Sequence, residues 1–139
     1  HLPIRAVFGQ IEKMTYHEAF LEEIKKQDWR AGLALDLYTP LESIDENSWE
    51  WMDAILLLGV EAGASGQSQK PFLFEKIQAA KQKILQTEPL KIFVDGGVNK
   101  ENIEKLQAQG IDGVTVNSAF NQAKNYQQAV EEFLSYVKS

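Results

Sequence analysis

The sequence predicts an α/β fold with a parallel sheet, and three observations carry that expectation. Short apolar runs alternate five times with amphipathic stretches, joined by short turns. The run from Met52 to Val60 is almost unbroken in its apolarity, which fits a strand covered on both faces, as in parallel sheets. Polar residues and glycines gather after the apolar runs, at Gln10, Asp36, Glu61 to Gln67, Asp95 to Asn99 and Asn117–Ser118. Such chains wind by right-handed crossovers. Alternation alone leaves two architectures open, a doubly wound sheet or part of an eight-unit barrel, because both place a site beyond the strand ends.

Taken in order, Ile4 to Gly9 reads as the first strand. Thr15 is the expected N-cap of a helix from Tyr16 to Gln27, with Glu18 completing a capping box and Phe20, Leu21 and Ile24 on its apolar face. Ala31 to Asp36 is a second strand, and Thr39–Pro40 opens a short helix from Leu41 to Ile44. The third strand is Met52 to Val60. Pro71 opens a long helix to about Gln86, with Phe74, Ile77, Ile84 and Leu85 inward. Lys91 to Asp95 is the fourth strand. Asn99 is the expected cap of a helix to Gln109, with Ile103 and Leu106 inward and Gly110 as its stop. The fifth strand is Gly113 to Val116, and a last helix spans about Tyr126 to Val137.

The chain has 139 residues, 44% of them hydrophobic and 24% charged, which is one domain's worth of ordinary globular sequence, residues 1–139. Cysteine is absent, so disulfides and thiolate metal sites are excluded and a reducing cytoplasm is the expected compartment. The net charge of -6 argues against nucleic acid or an anionic membrane surface as partner. No apolar run is long enough to span a bilayer. The chain opens on His1, so it is expected to be processed or part of something longer. His17, on the first helix, is expected at the surface, and Trp29, Trp49 and Trp51 in packing or an interface.

The segment Ile92 to Asn99 concentrates the chemistry: a buried-strand run, then Asp95, Gly96 and Gly97, then an Asn opening a helix. A strand-end carboxylate can move protons or hold a metal. Backbone bare of side chains lets amides approach an anion closely.

Four segments in register resemble the ribulose-phosphate 3-epimerase family. Gly32 to Glu42 is similar to its G-x-A-L-N-P-x-T-P-x-E segment, and Gly59 to Gln67 to its S-V-E-P-G-F-G-G-Q loop. Val94 to Asn99 resembles its V-D-G-G-V-N turn, and Val116 to Phe120 its V-x-G-S-A-I-F turn. The resemblance implies a partial (β/α)8 TIM barrel, strands four to eight. It also implies a parent activity in carbohydrate metabolism, C3 epimerisation of a ketopentose phosphate by two-base proton transfer. It makes Asp95 one acid/base group and a ligand of a divalent metal (Zn, Fe or Mn in the family). It makes Gly63, Ser65, Gly66, Gly96, Gly97, Asn117 and Ser118 the phosphate-binding positions.

The family's two metal-ligand histidines, second aspartate and substrate serine belong to the first three strands, which have no counterpart here. Ser65 and Asn117 replace glycines, Gln10 replaces a site-facing histidine, and Asp36 adds charge where the family has Asn. The chain is therefore expected to be truncated and inactive alone, completed by a missing N-terminal barrel segment or as a homo-oligomer. A second reading is a non-catalytic sugar-phosphate-binding or interaction module. A third is another phosphate-binding barrel lyase or synthase, although Lys70, Lys91 and Lys100 do not lie at strand C-termini.

Overall fold

The computed structural model describes residues 3–60, 70–84 and 90–137. Among the described residues ten helices and strands follow one another: β1 (Ala6–Gln10), α1 (His17–Lys25), β2 (Arg30–Leu35), β3 (Ala54–Leu58), α2 (Phe72–Ile84), β4 (Lys91–Asp95), α3 (Ile103–Ala108), β5 (Gly113–Thr115), α4 (Ser118–Asn121) and α5 (Tyr126–Val137). Between β2 and β3 the chain crosses on 3-10 turns, Leu41–Ser43 and Glu46–Trp51, with a third at Ile11–Lys13. Pro40 stands just before the first of these crossover turns, in extended backbone, and not inside a helix.

The five strands form one sheet in the order β1-β2-β3-β4-β5, and every pair is parallel. That order settles the architecture. A doubly wound sheet reverses direction at a switch point, whereas here each strand is added beside its predecessor on the same side. Right-handed crossovers that all advance one way place their helices on one face. The result is a partial TIM-barrel α/β fold.

The core lies between sheet and helices. Leu33, Leu35, Ile55, Leu57 and Val94 point from the strands at Leu21, Leu73, Ile77 and Leu106 of the helices, and all nine are fully buried. Alternation sends the intervening residues to the opposite, concave face. There Phe8 and Phe93 meet edge to face, with ring centroids 6.0 Å apart. Gly32 and Gly113 make room for these rings: a Cβ would lie 2.5 Å from Phe8 and 2.7 Å from Phe93, respectively.

Two acids pin the strand starts. Asp53 Oδ2 accepts the Ala31 N–H at 2.8 Å, and its Oδ1 pairs with Lys25 Nζ at 3.0 Å. Asp112 Oδ2 accepts the Ile92 N–H at 2.9 Å in the same way. Each locks a strand to its neighbour at the end opposite the candidate site. Asp53→Ala is expected to cost about 1.5 kcal/mol in chemical denaturation, the worth of a charge-assisted hydrogen bond at a half-exposed position. A loss below a few tenths would show that the pairing does not depend on it.

Three local expectations change. Tyr16, not Thr15, precedes α1, and no side chain caps it. Asn102, not Asn99, precedes α3. Asn99 instead closes a turn, its side-chain oxygen accepting the Glu101 N–H at 2.9 Å. His17 is buried, because α1 packs on the Glu46–Trp51 turn and brings the imidazole to Asp45, with Nδ1 3.3 Å from Oδ2. Trp49 is buried and Trp51 packs against the same core, as expected of both. Gly110, at φ 70°, ends α3 as expected.

Candidate functional site

Because all five strands are parallel, their C-terminal ends share one rim. Gln10, Asp36, Gly59, Asp95 and Val116 stand there or one residue beyond. Asp95 is in register with Leu58 on one side and Thr115 on the other. It alternates with fully buried Val94, so it shares the concave face with Phe93 and is half-buried. Among the described residues its carboxylate forms no hydrogen bond or ion pair. The main chain around it is fixed, since the Asp95 carbonyl accepts the Gly59 N–H at 2.7 Å.

Gly96 and Gly97 follow with φ of 95° and 68°, backbone that L side chains rarely adopt. A Cβ on Gly96 would lie 2.6 Å from Val60 Cγ2. The Gly97 carbonyl accepts Nδ2 of Asn102 at 2.8 Å and of Asn99 at 3.2 Å. In a trans peptide the N–H points opposite to the C=O, so the Val98 amide is directed away from this asparagine pair. Gly96–Gly97 is thus a fixed turn with amides beside a carboxylate.

On the neighbouring strand, Val116, Asn117 and Ser118 continue beyond Thr115, which pairs with Asp95. The two turns therefore leave the sheet side by side. Asn117 has φ -127°, so the left-handed backbone a glycine would permit is not used. Its side chain turns into α4, accepting Asn121 Nδ2 at 2.5 Å. Ser118 is the first residue of α4. With α3 and α4 only six and four residues long, an anion would be held by individual amides more than by helix dipoles. Gly63, Ser65 and Gly66 lie outside the described residues. Gly59 and Lys70, before and after those positions in sequence, are joined by Lys70 N–H to Gly59 carbonyl at 3.1 Å.

The rim also holds a cluster that the residue patterns did not single out. Glu12 Oε1 accepts the Asp36 N–H at 2.8 Å. From α2, Lys76 Nζ donates to the Asp36 carbonyl and, at 3.1 Å, to the Leu37 carbonyl. Asp36 is clamped on both sides of its main chain. Burial pushes the Lys76 ammonium down to about 8, against the opposing pull of the Glu12 and Asp36 carboxylates. Burial alone would raise Glu12, but hydrogen bonds from the Thr39 side chain and the Asp36 backbone outweigh it and hold the carboxyl below its ordinary range. A signal for Lys76 existed in the sequence: it sits within the apolar stripe of α2, between Leu73 and Ile77.

A metal finds little here. Among the described residues no group of three or more His, Cys, Asp or Glu comes together, and Asp95 is a single carboxylate. These residues do not fit a metal centre by themselves. No helix among the described residues is long and apolar enough to cross a membrane.

Residues 3–121 match the Ribulose-phosphate 3 epimerase family. The chain is 32% identical over 139 residues to the ribulose-phosphate 3-epimerase of Buchnera aphidicola subsp. Baizongia pistaciae, covering 99% of this chain and 60% of that protein. It is 32% identical over 125 residues to the ribulose-phosphate 3-epimerase of Escherichia coli, covering 89% and 55%. Similarity to the Helicobacter pylori protein of the same name is 34% over 121 residues, covering 86% and 55%. The chain thus spans between 55% and 60% of the length of these curated relatives. A solved TIM-barrel structure described as "Native KDPGal structure" superposes with a TM-score of 0.59 at 15% identity, over 97% of this chain and 61% of that one, which bears on the fold alone. With the Asp-Gly-Gly turn at the strand-end rim of a partial barrel, these matches establish that the chain belongs to the ribulose-phosphate 3-epimerase family.

Proposed function

We propose that this chain provides the phosphate-binding turns and one acid/base group of a site that epimerises C3 of a ketopentose phosphate. The carrying observation is Asp95 on the concave face, followed at once by two glycines in left-handed backbone, with the Asn117–Ser118 turn on the adjacent strand. Epimerisation removes the proton from C3, next to the carbonyl, and returns one on the opposite face. Asp95, at the strand-end rim, would serve one face. The phosphate would be received by the amides of Gly96, Gly97 and the Asn117–Ser118 turn, with Gly63, Ser65 and Gly66 as the further positions that family membership implies.

Inversion needs a second acid/base group opposite Asp95. Among the described residues the other rim acids are engaged in holding main chain: Glu12 accepts the Asp36 N–H, and Asp36 Oδ1 accepts the Leu37 N–H at 3.0 Å. The chain alone therefore binds a phosphorylated sugar in the cytoplasm without inverting it. It would be completed by further barrel or a second subunit, and Asp95 would give one ligand to any divalent cation.

Titration calorimetry with ribulose phosphate, paired with an NMR assay of C3 inversion, tests this. Binding weakened severalfold by Gly97→Val, without turnover, is the expected outcome. Inversion by the isolated chain that disappears in Asp95→Asn would overturn the one-group reading, and absence of any sugar-phosphate binding would overturn the site.

A further inference from the structure

A cleft opens on the helix side of the sheet, between the turn that precedes α3 and the helices α4 and α5. It encloses about 370 Å³, at the small end of the range of about 300–1,000 Å³ typical of ligand sites. Asp95 and Gly96–Gly97 are not among the residues that line it.

The space exists because small residues stand where the helices face each other. Ala119 on α4, Ala123 just after it and Ala129 on α5 line the cleft, and their methyl groups leave room that larger side chains would fill. Phe120, Phe133 and Tyr136 supply an aromatic wall. Phe133 is buried, whereas Phe120 and Tyr136 are half-buried, so ring surface remains for a guest. Phe120 and Phe133 meet edge to face, with centroids 5.5 Å apart. A third ring can join such a pair edge to face or offset, an arrangement worth more than its buried area alone.

The mouth is polar and carries both signs. Lys100, from the turn before α3, and Glu132, from α5, both line it, with Nζ 3.7 Å from Oε1. That separation is too long for a hydrogen bond, so each group still has hydrogen-bonding capacity to offer. Glu101 adds a second carboxylate. A simple anion would meet two carboxylates against one ammonium, and a simple cation would meet Lys100. A zwitterion suits both signs. An α-amino acid carries its carboxylate and ammonium on one carbon, close enough to engage two partners this near each other.

We propose that this cleft is a binding site for a free α-amino acid with an aromatic side chain. The ring lies against Phe120, Phe133 and Tyr136. The α-carboxylate pairs with Lys100 and the α-ammonium with Glu132. The cleft also backs on the Gly96–Gly97 turn, because Asn99, on its wall, donates through Nδ2 to the Gly97 carbonyl at 3.2 Å. Occupancy therefore bears on that turn from behind, without touching Asp95. None of this depends on the sugar chemistry, so it stands or falls separately from the proposed activity.

The test titrates the full 139-residue chain with L-phenylalanine, phenylacetate and phenethylamine, following backbone amides by NMR. The expected result is a Kd of about 1 mM for phenylalanine, with shifts at residues 119–123 and 129–136 and at Gly97. Phenylacetate and phenethylamine each bind about fivefold more weakly, the worth of one exposed ion pair. Ala129→Leu fills the cleft and weakens phenylalanine at least about tenfold. Glu132→Gln, at an exposed position, leaves the fold intact and brings phenylalanine down to the affinity of phenylacetate. Absence of these shifts at about 10 mM phenylalanine overturns the site. Equal binding of the three compounds, or indifference to Glu132→Gln, overturns the amino-acid assignment. Binding that leaves the Gly97 amide unmoved overturns the link to the turn.

Discussion

Gly96→Val is expected to lower stability by about 3 kcal/mol, a large share of the total for a domain of this size. Two costs combine. The backbone at Gly96 sits at φ 95°, where an L side chain costs about 1–2 kcal/mol. The new Cβ would also press on Val60, 2.6 Å from Cγ2, and Val60 is itself buried two residues beyond β3. Relief would have to come from the main chain that joins Gly59 to Asp95. Gly97→Asn is the informative comparison. Its φ of 68° lies in the left-handed region that Asn tolerates, so a loss under about 1 kcal/mol is expected. Urea denaturation followed by circular dichroism reads both. Near-wild-type stability of Gly96→Val would mean that the turn is free to rearrange, and with it the amides assigned to the phosphate.

Raising the pH from 8 to 10.5 is expected to stabilise the wild-type chain relative to Lys76→Met. In the folded chain Lys76 releases its proton near about 8, and in the unfolded chain near the model-compound value of 10.5. Between these the unfolded chain binds the extra proton, so stability rises with pH across the window. Below it both states are protonated and the full cost of burying the ammonium is present. The complete shift corresponds to about 3.4 kcal/mol. Water at the end of β2 screens part of it, leaving about 2.5 kcal/mol. Other lysines and tyrosines titrate there too, and subtracting the Lys76→Met curve removes them. Parallel curves for the two proteins would sink the idea. At neutral pH the substitution itself is expected to be nearly balanced. It relieves the buried charge but leaves the Leu37 carbonyl without its ammonium and Glu12 without a nearby cation.

What could be read from the residues alone follows the range of the interactions involved. β4 and α5 have the bounds their patterns predict, Lys91–Asp95 and Tyr126–Val137, because each is framed by its own neighbours in sequence. Asp95 and Gly96–Gly97 were visible for the same reason: strand end, acid and turn are contiguous. Strand order was not visible, since periodicity reports which face is buried and not which strand lies alongside. His17 was misjudged because its burial comes from the Glu46–Trp51 turn and Asp45, 28 residues away. The Asn99 cap failed on a local competition: Asn102 also offers a side chain to the turn, and its Oδ1 accepts the Asn99 N–H at 2.9 Å. The Glu12–Asp36–Lys76 cluster joins the turn after β1, the residue after β2 and α2, and only the fold brings it together. Its single local trace was a lysine in an apolar stripe.

The unbroken strand order also governs how the chain can assemble. Every pairing joins consecutive strands, the nearest partners being 20 residues apart at Phe93 and Gly113 and the farthest 37 at Ala54 and Lys91. No strand must wait for a distant one before it can be bound. As the polypeptide leaves the ribosome, each new strand finds a template that was synthesised just before it. The entropy of closing each loop is correspondingly small, and sheet growth is expected to proceed from one end like a zipper.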